Sequence, residues 1–345
     1  MLLRGNVTRE WIHRLPKAEL HVHLDGSLRP STMLELAKEE GVKLPASEPN
    51  ALAQALKVSG SGDLNEYLER FSLSLPLMQT PESLSRVAYE LAGDSAAENV
   101  RYLEVRFSPV LHTENGMSPE TAVASALEGL ARAESELGIR AGLIICGIRS
   151  LHPEVSLRLA ELAVDFREEG VVAFDLAGAE AGNPAVDHQE AFQYAARNNL
   201  PATVHAGEAA GAESIAQAIH LCQARRIGHG TRLQEDPSLE AFVNDFRIPL
   251  EVCLTSNLQT RAVPSLGQHP LRRYFDAGLV VTLNTDNRLF SATTLSDEYW
   301  LAHEHLGFDA EELREVCLLG FRAAFLPFEA KVNLLEEVEE TLARL

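Results

Sequence analysis

Eight short runs rich in apolar and β-branched residues recur along the chain, and amphipathic helical patterns separate them. The runs span residues 18–25, 100–109, 140–149, 170–178, 200–208, 226–230, 249–257 and 279–287. Several are almost continuously hydrophobic, as expected of parallel strands covered on both faces. Alternation of strands and helices favours an α/β fold with a parallel sheet, and eight repeats favour a closed (β/α)8 TIM barrel.

One connection is longer than a barrel requires, because about 75 residues separate the first run from the second. This helical insert, at about residues 30–99, includes a predicted helix at 65–78. Apolar side chains at helical spacing make it a candidate lid, or a helix that packs only on its neighbours. They are Leu64, Tyr67, Leu68 and Phe71. No linker or change in composition marks a second domain, so residues 1–345 are expected to form a single barrel domain.

Three helix starts are readable. Thr80 and Ser118 each provide a capping hydroxyl before a Pro-Glu pair, which is typical of a first helical turn. Asp309 opens a capping box before a helix predicted at 313–319.

Composition limits the possible partners and the compartment. The chain has 50 Asp and Glu against 30 Lys and Arg, a formal net charge of −20 at pH 7. That excess repels phosphate backbones and anionic lipids, so neither nucleic acid nor membrane surfaces are expected partners. We find no signal segment and no apolar stretch of membrane-spanning length. The four cysteines lie in apolar runs without a C-x-x-C spacing, as reduced, buried thiols in a cytoplasmic protein would.

Histidines and carboxylates gather where the predicted strands end, which is where barrel enzymes place reactive groups. The first run ends in His21-Val-His23-Leu-Asp25, and the eighth ends in Asp286-Asn287. His21 and His23 are two residues apart on a strand, so both side chains face the same side and can converge on one ion. Imidazole suits zinc, and a carboxylate such as Asp286 can complete the shell.

The same strand ends offer candidate catalytic groups. Glu208, three residues after His205, is a candidate general acid if partial desolvation keeps its carboxyl protonated; the alternative is a solvated loop glutamate. His229, between two glycines, is a candidate base or electrostatic partner for a bound water, or else a core histidine. Asp286 is a candidate proton acceptor as well as a ligand, or alternatively a helix cap.

Weaker signals follow other strands. Gly178 allows either close approach of a ligand to the backbone or a plain tight turn. Ser256 and Asn257 are candidates to support the residues that bind the metal. The remaining histidines are expected to be structural or surface residues: His13, His112, His152, His188, His220, His269, His303 and His305.

Five segments, in the same order over about residues 15–325, resemble the adenosine deaminase family of metal-dependent amidohydrolases. They are Glu19-Leu-His-Val-His-Leu-Asp-Gly-Ser, Val204-His-Ala-Gly-Glu, Arg226-Ile-Gly-His-Gly, Ser256-Asn and Asn284-Thr-Asp-Asn. The resemblance implies zinc-dependent hydrolytic deamination of a 6-aminopurine nucleoside, such as adenosine or 2′-deoxyadenosine.

The resemblance also assigns roles. It implies that one Zn²⁺ is held by four side chains: His21, His23, His205 and Asp286. Glu208 would face the purine N1, and His229 would orient the zinc-bound water. Asp25 would bind the ribose, and Gly178 would contact the purine edge. The substrate-binding set is His23, Asp25, Leu64, Tyr67, Leu68, Phe71, Gly178 and Asn287.

One residue departs from the pattern of animal members, which carry a second aspartate where this chain has Asn287. The purine N7 is an acceptor, and an asparagine amide can donate to it at any pH. The change therefore leaves purine binding possible and leaves the finer substrate preference open.

Several substrates compete within the family. Asp25 favours a nucleoside over free adenine, since adenine deaminases tend to carry Glu there, and it opposes the phosphate of AMP by like charge. Aminodeoxyfutalosine is an open alternative.

Other protein classes fit less well. A two-metal hydrolase usually needs a bridging lysine, yet none of the eight runs ends in Lys. A non-catalytic binding protein would be expected to have lost a ligand or Glu208. The P-C-x-x-C signature of cytidine-type deaminases is absent.

Overall fold

A computed structural model describes residues 7–58 and 63–345, and its framework is eight parallel strands. The strands are β1 (Lys17–His23), β2 (Val100–Phe107), β3 (Arg140–Ile148), β4 (Val171–Ala177), β5 (Thr203–Ala206), β6 (Arg226–His229), β7 (Leu250–Val252) and β8 (Val281–Leu283). Each of the eight runs predicted from the sequence therefore overlaps a strand.

The strands form two four-stranded sheets, β1-β2-β3-β4 and β5-β6-β7-β8. Single parallel bridges join the sheets at both seams, Phe174 with Ala202 and Val22 with Asp286. A backbone hydrogen bond of 2.7 Å from His23 N to Asp286 O ties the second seam. The eight strands thus follow the circular order of a (β/α)8 barrel, with the continuous ladder interrupted at the two seams.

Helices precede, separate and follow the strands. Those before β2 are α1 (Arg9–Arg14), α2 (Pro30–Glu40), α3 (Pro49–Leu56), α4 (Leu64–Leu68), α5 (Phe71–Ser74) and α6 (Pro81–Ala97). Between β2 and β8 lie α7 (Pro119–Leu137), α8 (Pro153–Asp165), α9 (Gln189–Arg197), α10 (Ala212–His220), α11 (Pro237–Asp245), α12 (Leu254–Gln259) and α13 (Leu271–Asp276). After β8 come α14 (Arg288–Ser291), α15 (Leu295–Leu306), α16 (Ala310–Ala323) and α17 (Phe328–Leu342).

The predicted helix starts are confirmed. The hydroxyls of Thr80 and Ser118 accept hydrogen bonds from the backbone N–H of Ser83 and Thr121, and Pro occupies the first helical position in both cases. Asp309 forms the expected capping box, and the helix that follows it is longer than the predicted 313–319.

Two predicted elements need correction. The run 249–257 is a strand only to Val252; the chain then turns into α12, where Asn257 N donates to Cys253 O. Apolar residues fill a buried strand and a buried one-turn helix equally well, so the pattern did not separate the two. The predicted helix 65–78 is divided into α4, α5 and a 3₁₀ turn, because i→i+3 bonds interrupt the α-helical ladder between α4 and α5 and again at Met78.

The cysteine prediction is confirmed, since all four are free and buried. Within residues 7–58 and 63–345, none of the helices has both the length and the apolar character needed to cross a bilayer.

Candidate metal centre and active site

Four side chains from three parts of the barrel converge at the carboxyl ends of its strands. His21 and His23 come from β1, His205 from β5, and Asp286 from the loop after β8. One potential ligand atom from each lies within 4.8 Å of all the others. The Nε2 atoms of His23 and His205 are 3.1 Å apart, and Asp286 Oδ1 is 3.4 Å from His23 Nε2. Three imidazoles and a carboxylate at this spacing fit a single zinc ion.

Buried carboxylates fix the direction of two of these imidazoles. His21 Nδ1 lies 2.9 Å from Glu251 Oε2, and His205 Nδ1 lies 3.2 Å from Asp175 Oδ1. Because a carboxylate accepts the Nδ1 proton, each Nε2 turns its lone pair toward the centre. His21 Nε2 is buried and has no hydrogen-bond partner among the described residues. His21 Nε2 and the Asp286 carboxylate both present lone pairs to the same space, and a bound cation would satisfy both.

Arg106 on β2 links the two supporting carboxylates. Its guanidinium donates to Asp175 and Glu251 at 2.9 Å each, and all three side chains are fully buried. Burial alone would raise the pKa of Glu251, but the charges of Arg106 and Arg226 hold it well below its usual range. The sequence interpretation missed these residues; their signal was charge inside otherwise apolar strand runs.

Asp286 is held in its ionised form. Its Oδ2 accepts a 2.5 Å hydrogen bond from Ser256, and its Oδ1 accepts one of 2.9 Å from the amide of Asn287. Burial opposes ionisation, yet the neighbouring His21 and His23 imidazoles keep the pKa of this carboxyl below its usual range. The amide of Asn287 has two N–H donors, one of which is directed at Asp286.

The backbone is left-handed at two site residues that are not glycine. The φ angles are 65° at His229 and 62° at Asp286. Such angles are uncommon outside glycine and concentrate at functional sites. They occur where β6 and β8 end.

Glu208 lies two residues beyond β5, with its carboxyl buried. Thr260 donates to Oε1 at 2.9 Å, and Oε2 is 3.5 Å from His229 Nε2. Burial, reinforced by the negative charge of Asp286, raises the pKa of Glu208 to about 8. The carboxyl is therefore mainly protonated at neutral pH, as a general acid must be.

A chain of hydrogen bonds fixes the tautomer of His229. The Leu271 backbone N–H donates to His269 Nδ1 (3.0 Å), so His269 Nε2 carries the proton and donates to Asn257 Oδ1 (3.3 Å). The Asn257 amide then donates to His229 Nδ1 (3.0 Å). Burial lowers the pKa of His229 to about 4 and that of His269 to about 3. His229 is thus neutral and presents Nε2–H, a donor, toward Glu208.

This chain bears on two expectations. The neutral His229 offers no lone pair to the site, so the structure favours its interpretation as an electrostatic partner over that as a base. His269, expected to be structural or surface, is buried and connected to His229 through Asn257. Ser256 and Asn257 both support site residues, as the sequence suggested.

A cavity of about 270 Å³ opens above the cluster. Every residue of the predicted substrate-binding set lines it, and its apolar wall comes from α4 and Phe71. Glu208, His229 and Asp286 line it as well. Neither Lys nor Arg occurs among the described residues that line this cavity. The space therefore suits an uncharged, partly apolar ligand better than a phosphorylated one.

Asp25 gives the cavity a polar corner. Its Oδ1 is buried and lacks a hydrogen-bond partner within the described ranges, as does Nε2 of the neighbouring His112. Oδ2 of Asp25 lies 3.9 Å from that nitrogen. The ring of His112 is anchored through Nδ1 to Met78 O at 2.9 Å, so Nε2 is an acceptor in the neutral ring. The open oxygen of Asp25, which lines the cavity, can accept a hydrogen bond from a donor such as a ligand hydroxyl group.

Eight parallel strands in barrel order, with an H-x-H pair on the first, a histidine on the fifth and an aspartate after the eighth, define a metal-dependent amidohydrolase. Residues 16–341 match the family model described as adenosine deaminase. The chain belongs to the adenosine deaminase family and is a hydrolytic deaminase.

Relatives resemble the chain over nearly its whole length. It is 42% identical over 332 residues to an adenosine deaminase of Clostridium acetobutylicum, which covers 96% of this chain and 99% of the relative. It is 43% identical over 345 residues to an adenosine deaminase of Mycobacterium leprae, with 95% of each chain covered.

Solved structures share the fold. An adenine deaminase from Arthrobacter aurescens has a TM-score of 0.88 at 29% identity, covering 94% of this chain and 98% of that one. An amidohydrolase from Burkholderia ambifaria with bound Zn has a TM-score of 0.88 at 25% identity, covering 100% and 98%. Arabidopsis ADAL complexed with IMP has a TM-score of 0.87 at 31% identity, covering 97% and 99%.

Proposed function

We propose that this enzyme hydrolyses the 6-amino group of a purine nucleoside, adenosine or 2′-deoxyadenosine, and uses one Zn²⁺ per chain. Water supplies the oxygen of the 6-oxopurine, and the amino group leaves as ammonia. The observation that carries the proposal is the placement of Glu208. Its carboxyl has a pKa raised to about 8 and lines the same cavity as the three-histidine, one-aspartate cluster.

The proposed zinc ligands are His21, His23, His205 and Asp286. Supporting observations are the orphaned Nε2 of His21, the short separations of the ligand atoms and the bound Zn of the Burkholderia amidohydrolase. When bound, zinc supplies a nucleophile at neutral pH by lowering the pKa of a water molecule toward about 7.

The side chains around the cluster would manage protons and orientation. Glu208, as a neutral acid, would donate its proton to the purine N1 while the ring accepts charge. Such general acid catalysis is worth roughly 10²–10⁴ in rate. The Nε2–H of His229 would orient the attacking water by donating a hydrogen bond to its oxygen. Asp286, which is ionised, would accept a proton from that water and pass it to the departing amino group, which leaves as ammonia. The remaining hydroxyl proton would return to Glu208.

Different residues along the cavity would recognise different parts of the substrate. The open oxygen of Asp25 would accept a ribose hydroxyl, and the backbone of Gly178 would contact the purine edge. The second amide N–H of Asn287 would donate to N7. His23 would contact the substrate beside the metal. The apolar wall would cover the purine face; it consists of Leu64, Tyr67, Leu68 and Phe71.

Three alternative substrates are less well supported by the residues that line the cavity. The neighbouring Arthrobacter enzyme is an adenine deaminase, but free adenine would leave the Asp25 corner unfilled. Arabidopsis ADAL was crystallised with a nucleotide, yet a phosphate would find neither Lys nor Arg among the described residues lining this cavity. Aminodeoxyfutalosine must place a larger 5′ group in the same space. A cytoplasmic location stays a prediction from the sequence.

A substrate panel tests the proposal. Ammonia release would be measured with adenosine, 2′-deoxyadenosine, adenine, AMP and aminodeoxyfutalosine, and the zinc content would be determined on the same preparation. We expect the two nucleosides to have the highest kcat/KM. A preparation with full zinc that prefers one of the other three, or none of the five, would overturn the substrate assignment.

A further inference from the structure

Glu180, in the loop after β4, accepts hydrogen bonds from four consecutive backbone amides of another loop. Oε1 accepts from Gly207 at 2.7 Å, and Oε2 accepts from Glu208, Ala209 and Ala210 at 3.0, 2.6 and 2.9 Å. The side chain is 4% exposed. A converging row of N–H groups around a carboxylate is an anion nest made within the protein.

These four amides have no strand or helix to pair with. β5 ends at Ala206, and α10 begins at Ala212. A sheltered N–H without an acceptor is destabilising, so one carboxylate determines the path of the whole segment. Arg149 holds the end of β5 just before this segment, since its guanidinium donates to His205 O at 2.6 Å.

The segment that Glu180 holds carries Glu208. The backbone of Glu208 is fixed by Glu180, and its carboxyl is fixed by Thr260 at 2.9 Å. Two fixed points set the direction in which the carboxyl enters the cavity. The negative charge of Glu180 also contributes to raising the pKa of Glu208, after burial and the charge of Asp286.

We propose that Glu180 is a positioning residue that acts on the reaction through Glu208. This inference rests on the proposed function, in which Glu208 is the general acid. The alternative is that Glu180 only stabilises the loop and that catalysis is indifferent to it.

A double-mutant cycle separates the two interpretations. Glu180→Gln would be made in the wild type and in Glu208→Gln, with kcat, KM, zinc content and Tm measured for all four proteins. In the wild type, we expect kcat to fall by roughly 10- to 100-fold, because a shift of about 1 Å in a reacting group costs up to 10² in rate. KM and zinc content should stay within about twofold. In the Glu208→Gln background, the same change should alter kcat by less than about twofold, because coupled residues are not additive.

Asp236 provides a matched control. Its carboxylate also accepts from two consecutive amides, those of Ser238 and Leu239, but at an exposed helix start outside the cavity. Asp236→Asn should leave kcat unchanged in both backgrounds. Glu180→Asp, which keeps the charge on a shorter side chain, repeats the cycle should Glu180→Gln fail to fold.

The outcomes distinguish this inference from the proposed function. An equal loss of kcat in both backgrounds, or no loss in either, overturns the role of Glu180 while Glu208 keeps its own. Wild-type kcat in Glu208→Gln overturns the role of Glu208, and the role of Glu180 with it.

Discussion

The Nε2 atom of His229 lies 3.5 Å from Oε2 of Glu208, and the hydrogen bonds behind the imidazole make that nitrogen a donor. Because His229 Nε2 already carries a proton, it cannot accept the acidic proton of Glu208, which remains available to a ligand. In our proposal that proton goes to the purine ring, which puts Glu208 at the centre of the tests.

Glu208→Gln should abolish most turnover without loss of metal. Glutamine keeps the shape and the hydrogen bond from Thr260 but has no acidic proton, so kcat should fall by about 10²–10⁴. Steady-state kinetics and metal analysis on the same sample check this, with Glu208→Ala as a second variant. Retained turnover at normal zinc content would remove Glu208 from the mechanism.

The activity should fall at alkaline pH. Burial raises the pKa of Glu208 to about 8, so the acid form is present below that pH and is lost as the pH rises through it. The logarithm of kcat/KM should therefore turn downward near pH 8, since this parameter reports groups of the free enzyme. If the same descending limb persists in the residual activity of Glu208→Gln, another group is responsible for it.

Asn287→Asp should make substrate binding depend on pH. The amide donates at any pH, whereas a carboxyl donates only when protonated and here would sit against the ionised Asp286. We expect KM to rise with pH in the variant and to change little in the wild type. A KM that is flat from pH 6 to 9 in the variant would contradict the proposed contact with N7.

Removal of zinc should abolish activity reversibly. Exhaustive chelation should inactivate the wild type, and added zinc should restore it. Asp175→Asn, which weakens the carboxylate that orients His205, should raise the Kd for zinc by about 10–100-fold in a chelator competition. Undiminished turnover by a metal-free sample would refute the metal site.

Glu298→Gln should stabilise the protein at high pH. This carboxyl is fully buried among Thr255 and Thr293, and burial raises its pKa to about 7. The folded state therefore binds the proton more tightly, and wild-type stability declines as pH rises from 4.5 to 7. The unfolding free energy of the variant minus that of the wild type should be about 2–3 kcal/mol larger at pH 8 than at pH 5. A difference that does not change with pH would show that Glu298 does not titrate in this range.

The sequence predicted the residues at the strand ends better than the residues behind them. His21, His205 and Asp286 were recognisable because polar groups that interrupt apolar runs at strand ends converge in a barrel. Glu251 and Arg106 lie inside strands. They are 145 residues apart in the chain, so their pairing could be identified only from the arrangement of the strands in space. Glu180 had no local signal, because its four hydrogen bonds go to the backbone of another loop.

Periodicity also failed at the boundaries of short elements. Asn257 was placed at the end of a strand and lies on α12, because an apolar run of that length does not distinguish the two states. The single domain at 1–345 and a lid motion of α4 stay predictions.

The seam between β1 and β8 has a consequence for how the molecule matures. Asp286 accepts from His23 N and donates its own N–H to His21 O, so the backbone bonds that close this edge come from the same residues as three of the proposed ligands. The complete set of four proposed ligands is therefore assembled only when residue 286 has docked against the amino-terminal strand. The proposed zinc would then link the first and last strands of the barrel, and the complete active site would form only when these two strands are paired.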